Sequence, residues 1–272
     1  MEINQIESTV GAVVPVLLAL LAIRPVSTRE LFRFMDRYGV EVNRETLPTV
    51  TRSIRRSRTA KLAGAALGLS LHNILFGFGV NIPNDGVGYA ILAYLLGAFV
   101  TALIPQHTAR EVRKASLVPR ELRDYLPRTV IVAPVVSVVA SSLAILAYEL
   151  EPRATLVSFS GSAAALPATA VTAAATYIAI RIVIARSQPV TSPRLVEIDD
   201  ALRTQAVHTI AGAGIGIAFL GVASCMFEMA GYSSFEWLRI TGVVLAILAL
   251  VGAAAGWTIC TASWRVRRAV SV

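Results

Sequence analysis

The chain has 272 residues, of which 55% are apolar and only 15% are Asp, Glu, Lys or Arg, and its formal net charge is +8. A water-soluble domain carries about a quarter of its residues as charges, so this composition excludes an ordinary soluble fold and calls for a non-aqueous surround. The positive charge does not indicate a nucleic-acid partner, because the arginines lie between alternate apolar runs rather than on one patch.

The leader, Met1 to Thr9, holds Glu2 and Glu7 and no basic residue, unlike a signal peptide, which places positive charge before its apolar stretch. The first apolar run, Ser8 to Ile23, therefore reads as a retained transmembrane helix. The segment Arg24 to Lys61 follows as a basic loop with structure of its own. Ser27 and Glu30 have the spacing of a capping box, Leu31, Phe34, Met35 and Tyr38 then share one helical face, and Gly39 can end the turn. This predicts a short helix lying on the membrane surface. Thr49 to Lys61 is expected to run directly into the second span, Leu62 to Val80, with Pro48 in its first turn, where a missing amide donor costs nothing.

The third run is Gly88 to Ile104. A second basic loop, Pro105 to Arg128, contains Arg120, Glu121, Arg123 and Asp124 between Pro119 and Pro127, which predicts a short polar helix or turn. The fourth run is Thr129 to Ala147 and the fifth Ser162 to Ala185. The third basic loop, Arg186 to Ala206, ends in a stretch from Val196 expected to extend the sixth run, Val207 to Met229. Ile240 to Ala262 is the seventh.

The expected fold is an all-α, polytopic transmembrane helix bundle of seven helices, one integral-membrane domain over residues 1–272. All but Arg153 and Arg239 of the 25 lysines and arginines fall on one side of it. By the positive-inside rule the N-terminus lies outside and the C-terminus in the cytoplasm. Cys225 and Cys260 fall toward opposite ends of their helices and should not form a disulfide.

Polar residues within the spans are the functional candidates, because exposing them to lipid is costly. His72 and Asn73 sit near mid-membrane in the second span. Ser137 and Ser141 lie four apart on the fourth, and Thr169, Thr172 and Thr176 follow at steps of three and four on the fifth, so each set lines one face. Such faces can help form a polar path, but interhelical packing is the favoured reading, because serine and threonine also bond to their own preceding carbonyls. His208, Glu228 and Arg181 lie near span ends, where interfacial water would solvate them. Pro15, Pro134 and Pro167 predict bends. The pairs Gly64/Gly68, Gly212/Gly216 and Gly252/Gly256 have the four-residue spacing that permits close helix approach. The alanine- and threonine-rich stretch Ala163 to Tyr177 predicts that the fifth span is buried among other helices.

Catalysis has no recognisable motif. The chain lacks an H-E-x-x-H pattern, a Walker A sequence and a G-x-S-x-G elbow, and its seventh span has no lysine for a retinal Schiff base. No metal site and no cofactor are expected. The sequence resembles uncharacterised multi-pass membrane proteins of actinobacteria, in the near-N-terminal helix followed by an arginine-rich loop, in ASLVPRELRDYLP at Ala115 to Pro127 and in DDALRTQAVHTIAGAG at Asp199 to Gly214. That resemblance spans most of the chain, implies a bacterial cytoplasmic membrane and carries over no catalytic residue. The functional expectation is a membrane transport component or permease, with a noncatalytic scaffold or accessory subunit as the alternative. Expected partners are membrane lipids, anionic inner-leaflet lipids among them, and a membrane-protein or ATPase partner.

Overall fold

A computed structural model of the protein describes residues 14–41, 43–44, 46–77, 86–104, 113–114, 121–149, 160–186, 188–189, 193–233 and 235–263. The expectations for the leader, for the start of the first span, for most of Pro105 to Arg128 and for the tail beyond Ser263 lie outside these residues. The fold is all-α. Its helices are α1 (Val14–Ile23), then α2 (Thr28–Tyr38), α3 (Leu47–Gly77), α4 (Gly86–Leu103), α5 (Arg128–Glu149), α6 (Ser160–Ile184), α7 (Pro193–Tyr232) and α8 (Glu236–Thr258), with a π turn at Ile259–Ser263 and a 3-10 turn at Leu122–Asp124. Extended pairing among the described residues is one two-residue antiparallel ladder, with Arg113 opposite Pro189 and Lys114 opposite Gln188.

Four helices contain stretches long and apolar enough to cross a membrane: Arg128–Leu146, Leu166–Ile184, Val196–Glu228 and Glu236–Thr261. Val14–Ile23 and Gly88–Leu103 are apolar but shorter. The second expected span forms the later part of α3, continuous with the basic stretch before it, and α7 likewise extends Val207 to Met229 backward to Pro193. At about 1.5 Å per residue, α3 and α7 are both longer than a hydrocarbon core.

The packing of the apolar helices is inverted relative to a soluble protein. On α8 the buried stripe is Gly242, Ala246, Ala249 and Ala253, while Ile240, Val244, Ile247, Leu248 and Val251 point outward. On α5 the inward positions are Val130, Pro134, Ser137, Ser141 and Ala144, and Val132, Val135, Val136, Val139 and Leu143 face out. Small residues inside and large aliphatic residues outside satisfy a helix surrounded by lipid, where hydrophobicity supplies no force between helices and close backbone approach does. In water the same exposed aliphatic surface would drive aggregation.

The chain divides into two compact units: Met1–Pro119 with Arg186–Ala206 and Arg265–Val272, and Arg120–Ala185 with Val207–Trp264. In the first, α3 and α4 are antiparallel and meet along a seam of small residues. A Cβ on Gly64 would fall on the Ala93 carbonyl, one on Gly68 on the Tyr89 carbonyl, and one on Gly97 on the Ala60 carbonyl. Each step of four residues along α3 is matched by a step of four back along α4.

The expected capping box of α2 is formed. The Ser27 amide donates to Glu30 Oε2 at 2.8 Å, the Glu30 amide donates to Ser27 Oγ at 3.3 Å, and Gly39 closes the helix at φ 59°, ψ 36°. Its apolar face does not lie on the membrane, however. Phe34 and Tyr38 are buried in a cluster with Val40 and Val50, and with Ile198, Ala201 and Leu202 from the first turns of α7. The helix pattern gave the right face but not what covers it, since Ile198 to Leu202 are far away in sequence.

In the second unit, α7 makes close contacts on two sides. Gly212 lies against Cys260 and Trp257, with its Cβ position 3.1 Å from that of Cys260, and Gly256 of α8 lies against Ile215. Gly214 faces Thr176 of α6. Two residues turn a helix by about 200°, so Gly212 and Gly214 admit neighbours on opposite faces. This corrects the expectation for the fifth span. In its spanning window α6 is 33% buried against 67% for α7, and Val171, Ile178 and Ile182 of α6 point outward.

Candidate intramembrane polar site

The seven candidate residues divide between the units. His72 and Asn73 belong to the first, on α3, and Ser137, Ser141, Thr169, Thr172 and Thr176 to the second, on α5 and α6. His72 is half-buried and Asn73 exposed. The His72 ring lies 5.5 Å from the Tyr89 ring of α4, centroid to centroid, one turn beyond the contact of Gly68 with the Tyr89 carbonyl. The close α3–α4 seam therefore holds the imidazole against an aromatic neighbour.

Ser137, Ser141, Thr169 and Thr176 are all buried and Thr172 half-buried. Three of the hydroxyls give their proton to their own helix: Ser137 Oγ donates to the Pro134 carbonyl at 2.6 Å, Thr172 Oγ1 to the Ala168 carbonyl at 2.8 Å and Thr176 Oγ1 to the Thr172 carbonyl at 2.7 Å. A hydroxyl so committed still has acceptor lone pairs but no proton to offer. Ser141 Oγ is buried and makes no hydrogen bond among the described residues. Cys225 and Cys260 are both buried and unbridged, as expected.

A cavity of about 300 Å³ opens beside Thr176. Its walls come from the 3-10 turn (Leu122, Leu126), α5 (Val130, Pro134), α6 (Ala173, Tyr177) and α7 (Ala211), so they are apolar except at Thr176 and the Tyr177 hydroxyl. On α6 two alanines, Ala173 and Ala174, line it beside the larger Thr176, Tyr177 and Ile180. Tyr177 is also tied to Arg181, whose Nη2 donates to the phenol oxygen at 2.9 Å with the guanidinium 5.3 Å from the ring. Arg181 is exposed.

His208 is not solvated as expected. It is buried, and its Nε2 lies 2.9 Å from the Tyr125 carbonyl. A carbonyl can only accept, so Nε2 carries the proton. Glu228 is half-buried, with Oε2 inaccessible to solvent.

In the first unit, an ion pair escaped the sequence reading. Arg203 Nη2 contacts Asp199 Oδ2 at 2.8 Å, with both side chains almost fully buried, and Arg203 Nη1 donates to the Arg186 carbonyl at 2.8 Å. Arg186 in turn donates to the Leu103 carbonyl at the end of α4. The pair was visible in principle as an acid and a base four residues apart on a helix, but its burial was not. Among the described residues no three His, Cys, Asp or Glu side chains gather as metal ligands would. No family model, no curated protein and no solved structure matches the chain.

Proposed function

We propose that the chain is a multi-pass protein of a bacterial cytoplasmic membrane that acts as a transport component or permease. In this reading it has seven spans, an external N-terminus and a cytoplasmic C-terminus, and it is akin to the uncharacterised actinobacterial proteins that it resembles. The four apolar helices and their outward-facing aliphatic residues support the membrane setting. The distribution of basic residues supports the orientation.

The observation that carries the transport reading is the cavity beside Thr176. A space of this size within a membrane unit, walled by aliphatic groups and offering an acceptor oxygen at Thr176 and the phenol proton of Tyr177, whose oxygen already accepts from Arg181, suits an amphiphile with an apolar body and a polar head that both donates and accepts. Ala173→Leu would fill it from a side chain that lines it. The expected result in proteoliposomes is flux of fluorescent amphiphiles by the natural protein and its loss in Ala173→Leu with unchanged thermal stability. No flux above empty vesicles across a panel of cationic and neutral amphiphiles contradicts the reading.

The alternative, a scaffold or accessory subunit for another membrane or cytoplasmic protein such as an ATPase, is supported by the packed cluster of α2 with the starts of α3 and α7. Setting topology requires only charge, whereas this segment is folded. Recovery of a stoichiometric partner that is lost when Phe32 and Asp36, exposed on α2, are both changed to alanine would favour it over an independently acting permease.

A further inference from the structure

A second cavity, of about 210 Å³, lies in the first unit and differs in chemistry from the first. Its lining is Arg24, Ser27, Arg29, Glu30, Arg33 and Arg58. Four arginines thus share the lining with one carboxylate, and that carboxylate is already engaged. Glu30 accepts from the Ser27 amide and pairs with Arg58 Nη1 at 3.2 Å. Arg58 is engaged as well, since it also donates to the Arg24 carbonyl. Among the described residues no carboxylate pairs with Arg24, Arg29 or Arg33. The cavity therefore presents uncompensated positive charge in planar groups able to grip two oxygens of one anion.

Its position specifies the anion. The cavity begins at Arg24, directly after α1, whose Val16, Leu17, Leu20, Leu21 and Ile23 are exposed aliphatic residues. The open carbonyls at the end of α1 are capped from α3: Thr59 Oγ1 donates to the Ala22 carbonyl at 3.0 Å, and Arg58 takes that of Arg24. These two bonds fix the arginine cluster at the foot of a lipid-facing helix. An acyl chain lying along α1 would bring its headgroup to that level. The N-terminus of α2 contributes little attraction of its own, because Ser27 and Glu30 already cap it.

We propose that the Arg24, Arg29, Arg33 and Arg58 cavity is a phosphate-recognising site that takes the headgroup of an anionic phospholipid. It rests on the membrane reading above and makes one part of it specific: lipid binding at a built pocket, in contrast to diffuse attraction by all basic loops. Arg29 and Arg33 supply the free guanidinium groups, while Arg58 is a positioning residue held by Glu30 and the end of α1.

The full chain, purified in detergent, is mixed with phosphatidylglycerol or phosphatidylcholine and the retained lipid measured by native mass spectrometry. The variants are Arg29→Gln/Arg33→Gln and a control, Arg52→Gln/Arg55→Gln, which removes equal charge from exposed positions of α3 outside the cavity. The site predicts preferential retention of phosphatidylglycerol, reduced roughly tenfold in Arg29→Gln/Arg33→Gln and less than about twofold in the control. Inorganic phosphate at millimolar concentration should fail to displace the lipid, because it lacks the acyl chains that lie along α1. Equal losses in both variants, or equal retention of the two lipids, overturns the site in favour of diffuse charge. Displacement by inorganic phosphate overturns the lipid as its occupant. Alkaline carbonate extraction of cell membranes separates the two levels of the argument. A chain released by carbonate refutes the membrane reading itself, whereas a chain that stays in the membrane yet shows no lipid preference refutes only the site.

Discussion

The α3–α4 pair and the α7–α8 pair both bring helices together through glycine, but their glycines face different atoms. Gly64, Gly68 and Gly97 lie against backbone carbonyls of the neighbouring helix. Gly252 and Gly256 lie against the ends of side chains, the Phe219 ring and the Ile215 Cγ2, while Gly212 meets the Trp257 ring and the Cys260 Cβ, which is fixed by its backbone. A side chain can turn to another rotamer, whereas a helix backbone moves only as a body. The same four-residue spacing thus encodes a rigid seam in one unit and an adjustable one in the other, and spacing alone does not tell them apart.

The largest effect is expected where nothing can yield. Gly68→Val would drive two methyl groups into the Tyr89 carbonyl and part α3 from α4, costing about 3 kcal/mol or more and displacing His72 from the Tyr89 ring. A thermal unfolding midpoint indistinguishable from that of the natural protein would break the distinction at its rigid end.

A smaller effect is expected at Gly214, whose neighbour is the Thr176 side chain. Gly214→Ala should cost roughly 1–3 kcal/mol, and Thr176→Ala in the same chain should recover much of it, since the clash is with that side chain. A double-mutant cycle reads this coupling directly. Additive losses would place the strain in backbone.

Gly252→Ala is the mildest of the three. The added Cβ would come 3.1 Å from the Phe219 ring, which can swing away, and alanine favours a helix over glycine by about 1 kcal/mol. A net change within about 1 kcal/mol in either direction is expected, again by thermal unfolding.

The smallest effect is local and depends on pH. Burial of Glu30 pushes its carboxyl up, but the Ser27 amide, the Arg58 guanidinium and the Ser27 hydroxyl together outweigh it and hold the group below its ordinary 4.5. A depressed carboxylate stabilises the fold above its unfolded value and loses that contribution as pH falls through the folded value. The start of α2 should therefore loosen in acid below about pH 4.5, and a fluorophore at Phe32→Cys would report it. In Glu30→Gln the acid step should be absent.

Much of the fold was legible because it rests on local pattern. The α2 cap needs only Ser27, Glu30 and Gly39, and the continuity of α3 and α7 needs only that no Gly or Pro interrupts the stretches Thr49 to Lys61 and Val196 to Ala206. The identity of the most buried span was not legible in the same way. The alanines and threonines of α6 make it able to pack on several sides, but ability to pack does not supply neighbours. The better signal was Gly212 and Gly214, two residues apart and so on opposite faces of one helix. Among the candidate residues, the spacing grouped Ser137 with Ser141 and Thr169 with Thr172 and Thr176, of which all but the half-buried Thr172 are buried. It could not reveal that three hydroxyl protons of this set are spent on their own helices, nor that His208 meets a carbonyl 83 residues away. That contact depends on tertiary structure alone.

The central claim is a membrane-embedded chain in which small residues face inward and α7 is the most enclosed span. Single cysteines carrying fluorophores, placed along α7 from Ala211 to Ala223 and along α8 from Ile240 to Val251 in a chain with Cys225 and Cys260 replaced by alanine, can be tested against a lipid-soluble paramagnetic quencher in bilayers. The account predicts strong quenching at Ile240, Val244, Ile247 and Val251 with a helical period, weak quenching at Ala246 and Ala249, and weak quenching at Ala211, Ala213, Ala218 and Val222. Equal quenching along both helices, or greater lipid access on α7 than on the outer face of α8, would contradict it.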